Sequence, residues 1–249
     1  MRIIIAPAKK MNVDTDSFAV EALPRFLEDT GRLKEAMQAM SDGELQKLWK
    51  CNDAIAKLNV ERLWDMDLRR NLTPAILAYE GIQYRYMAPG VMEAGQLDYL
   101  QEYLRILSGF YGLLRPFDGV VPYRLEMQAR LSVGGTRDLY AFWGGRLAGQ
   151  LAAETDCVLN LASKEYSRAV EPYLPSGVRF LTCTFGEWKD GKVIEKGTMC
   201  KMARGQMVRW LAEHNIENPE DIREFSDLDY RFEPELSDQD HFIFVKGEK

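Results

Sequence analysis

The chain reads as an α/β fold, a single compact domain over residues 1–249. Three observations predict it. Strand-type apolar runs stand near both ends, RIIIAP and HFIFVK, with helical stretches between them, so the terminal strands should share one sheet. A third run, CVLNLA, has the composition of an inner strand. No Pro/Gly/Ser linker, internal repeat or low-complexity tract divides the chain, and 249 residues can bury a sizeable core.

Element by element, RIIIAP is a strand stopped by Pro7, which lacks an N–H. Residues 21–65 read as helical, with breaks near Gly31 and at Ser41, where Ser41-Asp42-Gly43-Glu44 has the capping-box spacing. Pro74 opens the short segment AILAY, which ends at Gly81. Residues 98–107 read as a helix running into Gly109, and 138–153 as another with Leu139, Phe142, Trp143 and Leu147 on one face. VRFLTCTF alternates and is followed by the turn KDG and then VIEKG, a hairpin pattern. Residues 198–215 are helical, and HFIFVK closes the set as a strand.

Composition is that of a soluble globular protein, 46% apolar and 28% charged. No apolar run approaches the roughly 20 residues of a membrane helix. MRIIIAPAKK is too short for a signal peptide, so a cytoplasmic location and no membrane partner are expected. Cys51, Cys157, Cys183 and Cys200 form no C-x-x-C pair and read as reduced thiols. Net charge is −6, but residues 213–240 alone hold eleven acids and two bases, a net of −9, so the remainder is net positive. That acidic stretch is either a solvated face or a flap over a basic cleft or a metal.

The segment LRILSGFYGLLRPFDGVVPYRLEM, residues 104–127, combines Gly109, Gly112 and Gly119 with Pro116 and Pro122. It sets Arg105, Arg115 and Arg124 among Phe110, Tyr111, Phe117 and Tyr123. Glycine-turned backbone with Arg beside aromatics suits a surface for an anion or a nucleic-acid backbone. It equally suits a stiff connector whose Arg residues pair with Asp118 and Glu126.

Together with four other motifs in order, this segment resembles the peroxide stress protein YaaA family. The others are Ala6-Pro7-Ala8-Lys9; Asp138-Leu139-Tyr140 with Phe142-Trp143-Gly144; Asn160-Leu161-Ala162-Ser163 with Glu165-Tyr166; and Lys201-Met202-Ala203-Arg204-Gly205. The chain departs from the family pattern at Ala6, where Ser is common, and at Tyr79-Glu80-Gly81-Ile82-Gln83-Tyr84, where the family has F-x-G-D-V-Y; no role is assigned to residues 79–84. The resemblance implies a central mixed sheet wrapped by helices, a cleft, and a helix–hairpin–helix-like element. It also implies binding of duplex or distorted DNA, protection during hydrogen peroxide stress, and lowered free intracellular iron.

The helix–hairpin–helix candidate is the predicted helix ending at Ser108, the turn Gly109-Phe110-Tyr111-Gly112, and Leu113-Leu114-Arg115. Such an element grips phosphates through backbone N–H groups. Its alternative is a helix C-cap at Gly109. The expected DNA- or phosphate-binding residues are Lys9, Lys10, Arg105, Gly109, Gly112, Arg115, Arg124, Ser163, Lys201 and Arg204, with Lys9, Arg115, Lys201 and Arg204 in one cleft. Lys201 and Arg204 are three apart on a helix and share a face. Ser163 can N-cap the helix that starts at Glu165-Tyr166, or its helix start can hold a phosphate. No Walker loop, G-x-G-x-x-G or G-x-S-x-G is present, and His214 and His241 have no ligand spacing with the cysteines. No metal, cofactor or catalytic motif is therefore expected, and no protein partner is indicated. An enzyme that binds a phosphorylated small molecule, with Glu165 or Tyr166 moving a proton, stays open beside the DNA-binding reading.

Overall fold

The computed structural model describes residues 1–247. Its centre is an eight-stranded mixed sheet. The strands are β1 (Arg2–Ile5), β5 (Leu104–Ser108), β6 (Gly112–Leu114), β8 (Cys157–Leu161), β9 (Arg179–Lys189), β10 (Lys192–Ile194), β11 (Tyr230–Phe232) and β12 (His241–Lys246). Two-residue pairs lie outside it: β2 (Lys10–Met11) with β4 (Tyr79–Glu80), and β3 (Thr73–Pro74) with β7 (Gly119–Val120). The order across the main sheet is β11-β12-β9-β8-β1-β5-β6, with β10 on β9. The run β12-β9-β8-β1-β5 is parallel, while β6, β10 and β11 pair antiparallel. The two terminal strands do share one sheet, as their composition implies.

A parallel strand covered on both faces needs a continuous apolar run rather than alternation. Ile3, Ile4 and Ile5 are all fully buried, as are Val158, Leu159 and Leu161 in β8. Each such aliphatic side chain contributes roughly 1.5–3 kcal/mol on burial. β9 and β10 meet through Asp190 and Gly191, both at positive φ, so the KDG hairpin forms as read.

The helices are α1 (Leu27–Gln38), α2 (Asp42–Trp49), α3 (Asp53–Asp65), α4 (Ala75–Ala78), α5 (Ile82–Met87), α6 (Ala94–Tyr103), α7 (Leu139–Trp143), α8 (Arg146–Glu154), α9 (Lys164–Ser167) and α10 (Gly197–Glu213). The Ser41 capping box forms, with Glu44 accepting from the Ser41 N–H at 2.8 Å. Two expected boundaries are corrected. Gly31 does not break α1, because a glycine costs a helix only about 1 kcal/mol and Leu33 and Met37 anchor its buried face. The single helix expected over 138–153 is two, because Gly144 at φ 49° turns the chain between α7 and α8.

The third correction concerns function. Residues 104–108 are strand, not helix: α6 ends at Tyr103 and the chain enters the sheet beside β1. The turn Gly109–Gly112 then joins β5 to antiparallel β6, so this segment is a buried β-hairpin and no helix–hairpin–helix element. Its glycines serve packing. A Cβ on Gly109 would stand 2.6 Å from the Leu125 carbonyl oxygen, and Gly112 holds φ 76° against the Trp143 ring.

Candidate functional site

In open α/β sheets a crevice forms outside the carboxyl ends of the strands, where neighbouring connections leave in opposite directions. Here β1 leads toward β5 on one side, and β8 leads toward β9 on the other. A cavity of about 390 Å³ opens at that point. The segment after β1 supplies Lys9 and Lys10, and the one after β8 supplies Ser163, Glu165 and Tyr166. Glu80 to Tyr84, the extended run Tyr123 to Glu126, and Lys201 with Arg204 from α10 complete it.

Local chemistry holds each wall. Pro7 ends β1, and the Tyr84 hydroxyl donates to the Ala6 carbonyl at 3.1 Å. Lys10 reaches Glu80 at 2.7 Å, across the β2–β4 pairing. Arg124 and Glu126 are two apart in an extended chain and share a side. Glu126 meets Lys9 at 3.0 Å and Arg124 at 3.3 Å. Behind them Ser108 Oγ accepts the Phe110 and Tyr111 N–H groups, which leaves its proton for the Tyr123 hydroxyl at 2.6 Å. Tyr123 in turn lies 2.9 Å from the Tyr79 hydroxyl, and burial pushes the Tyr123 phenol up to about 12.

The cavity contrasts with the rest of the interior in one respect. Buried side-chain atoms without a hydrogen bond gather on it: Gln83 Nε2, Arg124 Nε, Glu126 Oε1 and Arg204 Nε. Lys201 and Arg204 also form no ion pair among the described residues, whereas Lys9, Lys10 and Arg124 each face a glutamate. Burial pushes the Glu165 carboxyl above the usual carboxylate range; the Gln128 N–H opposes the shift, Glu126 adds to it, and Lys9 opposes it. Ser163 occupies the N-cap of α9, but its side chain makes no capping bond.

Of the expected residues, Lys9, Lys10, Arg124, Ser163, Lys201 and Arg204 come together here. Arg105 and Arg115 do not. β6 runs antiparallel to β5, so it carries Arg115 back to the amino-terminal edge of the parallel strands, where Arg105 also lies. The shared cleft expected for Arg115 and Lys9 is thus corrected by strand direction. Arg105 is 2% exposed and bonds Glu154 at 2.6 Å. Gly109 and Gly112 are buried in the hairpin. Sequence reasoning gave Gln83, Tyr84 and Tyr123 no place in the site and read Glu126 only as a partner for an Arg, a pair that forms with Arg124; their two-residue spacing was the available signal. The acidic stretch 213–240 supplies none of the cavity's lining and pairs instead with bases such as Arg179, Arg209 and Lys246. Among the described residues no group of three or more His, Cys, Asp and Glu is arranged to hold a metal, and no helix is long and apolar enough to cross a membrane.

The amino-terminal edge yields a pH prediction. Burial pushes the Asp118 carboxyl up to about 6, although it accepts the Arg115 N–H at 2.8 Å. An unfolded Asp titrates near 3.9. A carboxyl whose value is raised on folding favours the native state while protonated, so its contribution is full below about 4 and lost as pH rises through about 6. Asp118→Asn should flatten the fall in melting temperature between those values. Thermal melts of both proteins across that range check it, and an unchanged pH profile would refute the assignment.

Fold and site together define a class: α/β proteins with a cation-rimmed crevice at the switch point of a mostly parallel sheet. Within it, the family model described as peroxide stress protein YaaA matches residues 1–236. The UPF0246 protein of Lachnoclostridium phytofermentans is 51% identical over 248 residues, 100% of this chain and 97% of its own. That of Desulfitobacterium hafniense is 52% identical over 247 residues, 99% of this chain and 98% of its own. The chain belongs to the peroxide stress protein YaaA family.

Proposed function

We propose that the protein serves the peroxide stress response by binding DNA, duplex or distorted, through phosphates at the crevice between β1 and β8. The observation that supports this reading is the convergence there of Lys201 and Arg204, without carboxylate partners among the described residues, with the unbonded Nε atoms of Arg124 and Arg204. Phosphate oxygens would accept from these donors. Lys9 and Lys10, whose side chains are 63% and 71% exposed, extend the rim. Their glutamate partners hold them only weakly at that exposure, so a phosphate can compete for them. The lowering of free iron implied by the family resemblance serves the same end, because less ferrous iron means less hydroxyl radical at DNA.

Lys201→Ala with Arg204→Ala should weaken binding to all duplex sequences alike and reduce the salt slope by about one unit for each phosphate no longer neutralised. Titration of a short duplex across a salt series measures it, with thermal melts to check folding. Unchanged affinity and slope in the folded double variant would reject this crevice as the DNA site.

A second reading is an enzyme for a phosphorylated small molecule. The cavity volume of about 390 Å³ and the raised Glu165 carboxyl favour it. A small ligand would bind with little dependence on salt, and that difference separates the two.

A further inference from the structure

Glu165 lines two cavities. One is the crevice described above. The other, of about 470 Å³, is lined by Gln128, Arg130, Asp138, Tyr140, Lys164 and Arg168. Glu165 is the residue that both linings share. Its carboxylate accepts the Gln128 N–H at 3.3 Å, and its backbone carbonyl accepts the Tyr140 hydroxyl at 2.9 Å.

The second cavity repeats the electrostatic pattern of the first. Arg130, Lys164 and Arg168 are exposed, and none forms an ion pair among the described residues. The Asp138 carboxylate is engaged elsewhere, with Arg137 at 3.3 Å and as the cap that accepts the Ala141 N–H. Arg168 stands 5.0 Å over the ring of Tyr140, a half-buried aromatic of the lining. Lys201 and Arg204 in one basin and Arg130, Lys164 and Arg168 in the other thus have no ion-pair partner among the described residues, and Glu165, whose ionised form is disfavoured by burial, lines both basins.

A mononucleotide carries one phosphate group and fills one basin. Cations in two basins beside an aromatic ring suit a ligand with successive phosphates and exposed bases. We infer that the second basin is a phosphate subsite continuous with the first, and that the partner is a nucleic-acid strand spanning both. This rests on the reading of the first crevice as a phosphate site, and it adds Arg130, Lys164 and Arg168 to the binding surface. Lys164 and Arg168 are four positions apart, so they project from the same side of the turn that starts at Ser163.

The experiment uses the full chain and three probes: thymidine monophosphate, an oligothymidylate of about twelve nucleotides, and polyglutamate of matched charge. The variants are Arg130→Ala with Arg168→Ala, and Lys201→Ala with Arg204→Ala. The expected result is that the first pair leaves mononucleotide affinity unchanged. The same pair should lower oligonucleotide affinity and reduce its salt slope by roughly 1.4, at about 0.7 per neutralised phosphate on a single strand. The second pair weakens both nucleotide probes. Oligonucleotide affinity and slope that do not change in a folded Arg130/Arg168 variant overturn the second subsite while leaving the first crevice intact. Wild-type protein that binds neither nucleotide probe overturns the strand-spanning site proposed here, while the duplex titration above decides the first reading separately. Polyglutamate that competes as well as the oligonucleotide replaces the nucleic acid with an acidic protein.

Discussion

Gly205→Ala is expected to destabilise the protein by about 1–3 kcal/mol or more, the range for forcing an extra methyl into a packed interior. A Cβ at Gly205 would lie 2.1 Å from the Gln83 carbonyl oxygen and 2.9 Å from its carbon. Those atoms are backbone, so no side-chain rotation relieves the clash; α10 and α5 must move apart. Both helices feed the crevice, α10 with Arg204 and α5 with Gln83. The substitution should thus lower phosphate affinity as well as stability. Gly31→Ala supplies the control: nothing lies within 4 Å of its added Cβ, and the position is inside α1. It should stabilise by roughly 0.5–1 kcal/mol. Urea denaturation of the two variants checks the pair, and a Gly205→Ala protein as stable as the parent would show that the helices can separate freely.

Glu154→Ala should cost about 3–5 kcal/mol, the usual penalty for removing one partner of a buried ion pair. Glu154 is the shared counter-ion of Arg105 at 2.6 Å and Arg2 at 3.2 Å, and all three side chains are largely buried. Without it the buried Arg105 loses its ion-pair partner beside Arg2, which keeps Glu102 at 2.7 Å. Arg105 also donates to the Gln101 and Leu104 carbonyls, which fixes it against escape to the surface. Because this cluster lies at the edge of the sheet opposite the crevice, nucleotide affinity should not change in Glu154→Ala at temperatures where it is folded. A loss of affinity with an intact fold would return Arg105 to the binding surface.

The fold was legible wherever a segment's composition permits one structure. RIIIAP, CVLNLA and HFIFVK are too short for helices and too apolar for loops, and all three are strands of one sheet. LRILS was ambiguous. Three apolar residues in a run of five after a helical stretch fit either a last turn or a buried strand, and periodicity cannot separate them. What decides is tertiary: β1 needs a parallel neighbour, and Leu104 to Ile106 supply its register. Arg105 hides this further, since a charge in such a run reads as exposed unless the distant Glu154 is known to meet it.

The site was legible in proportion to how local its cause is. Lys9 after a strand end, and Lys201 with Arg204 on one helical face, follow from spacing. Arg115 failed because its position depends on the direction of β6, which no local feature reveals. Gln83 and Glu126 enter the crevice only through the packing of α5 on α10 and the path of the extended run after Tyr123.

The placement of β1 bears on how the protein is made. Ile3 pairs with Leu104 on one side and Leu159 on the other. An interior strand of the sheet is therefore synthesised about a hundred residues ahead of its nearest partner. At roughly 5–20 residues per second, the Ile3–Ile5 triplet waits about 5–20 s for β5 and longer for β8. Throughout that interval the nascent chain carries an unpaired apolar strand. Translation speed between β1 and β8, and the chaperones that meet the emerging chain, set how much of it reaches the native sheet.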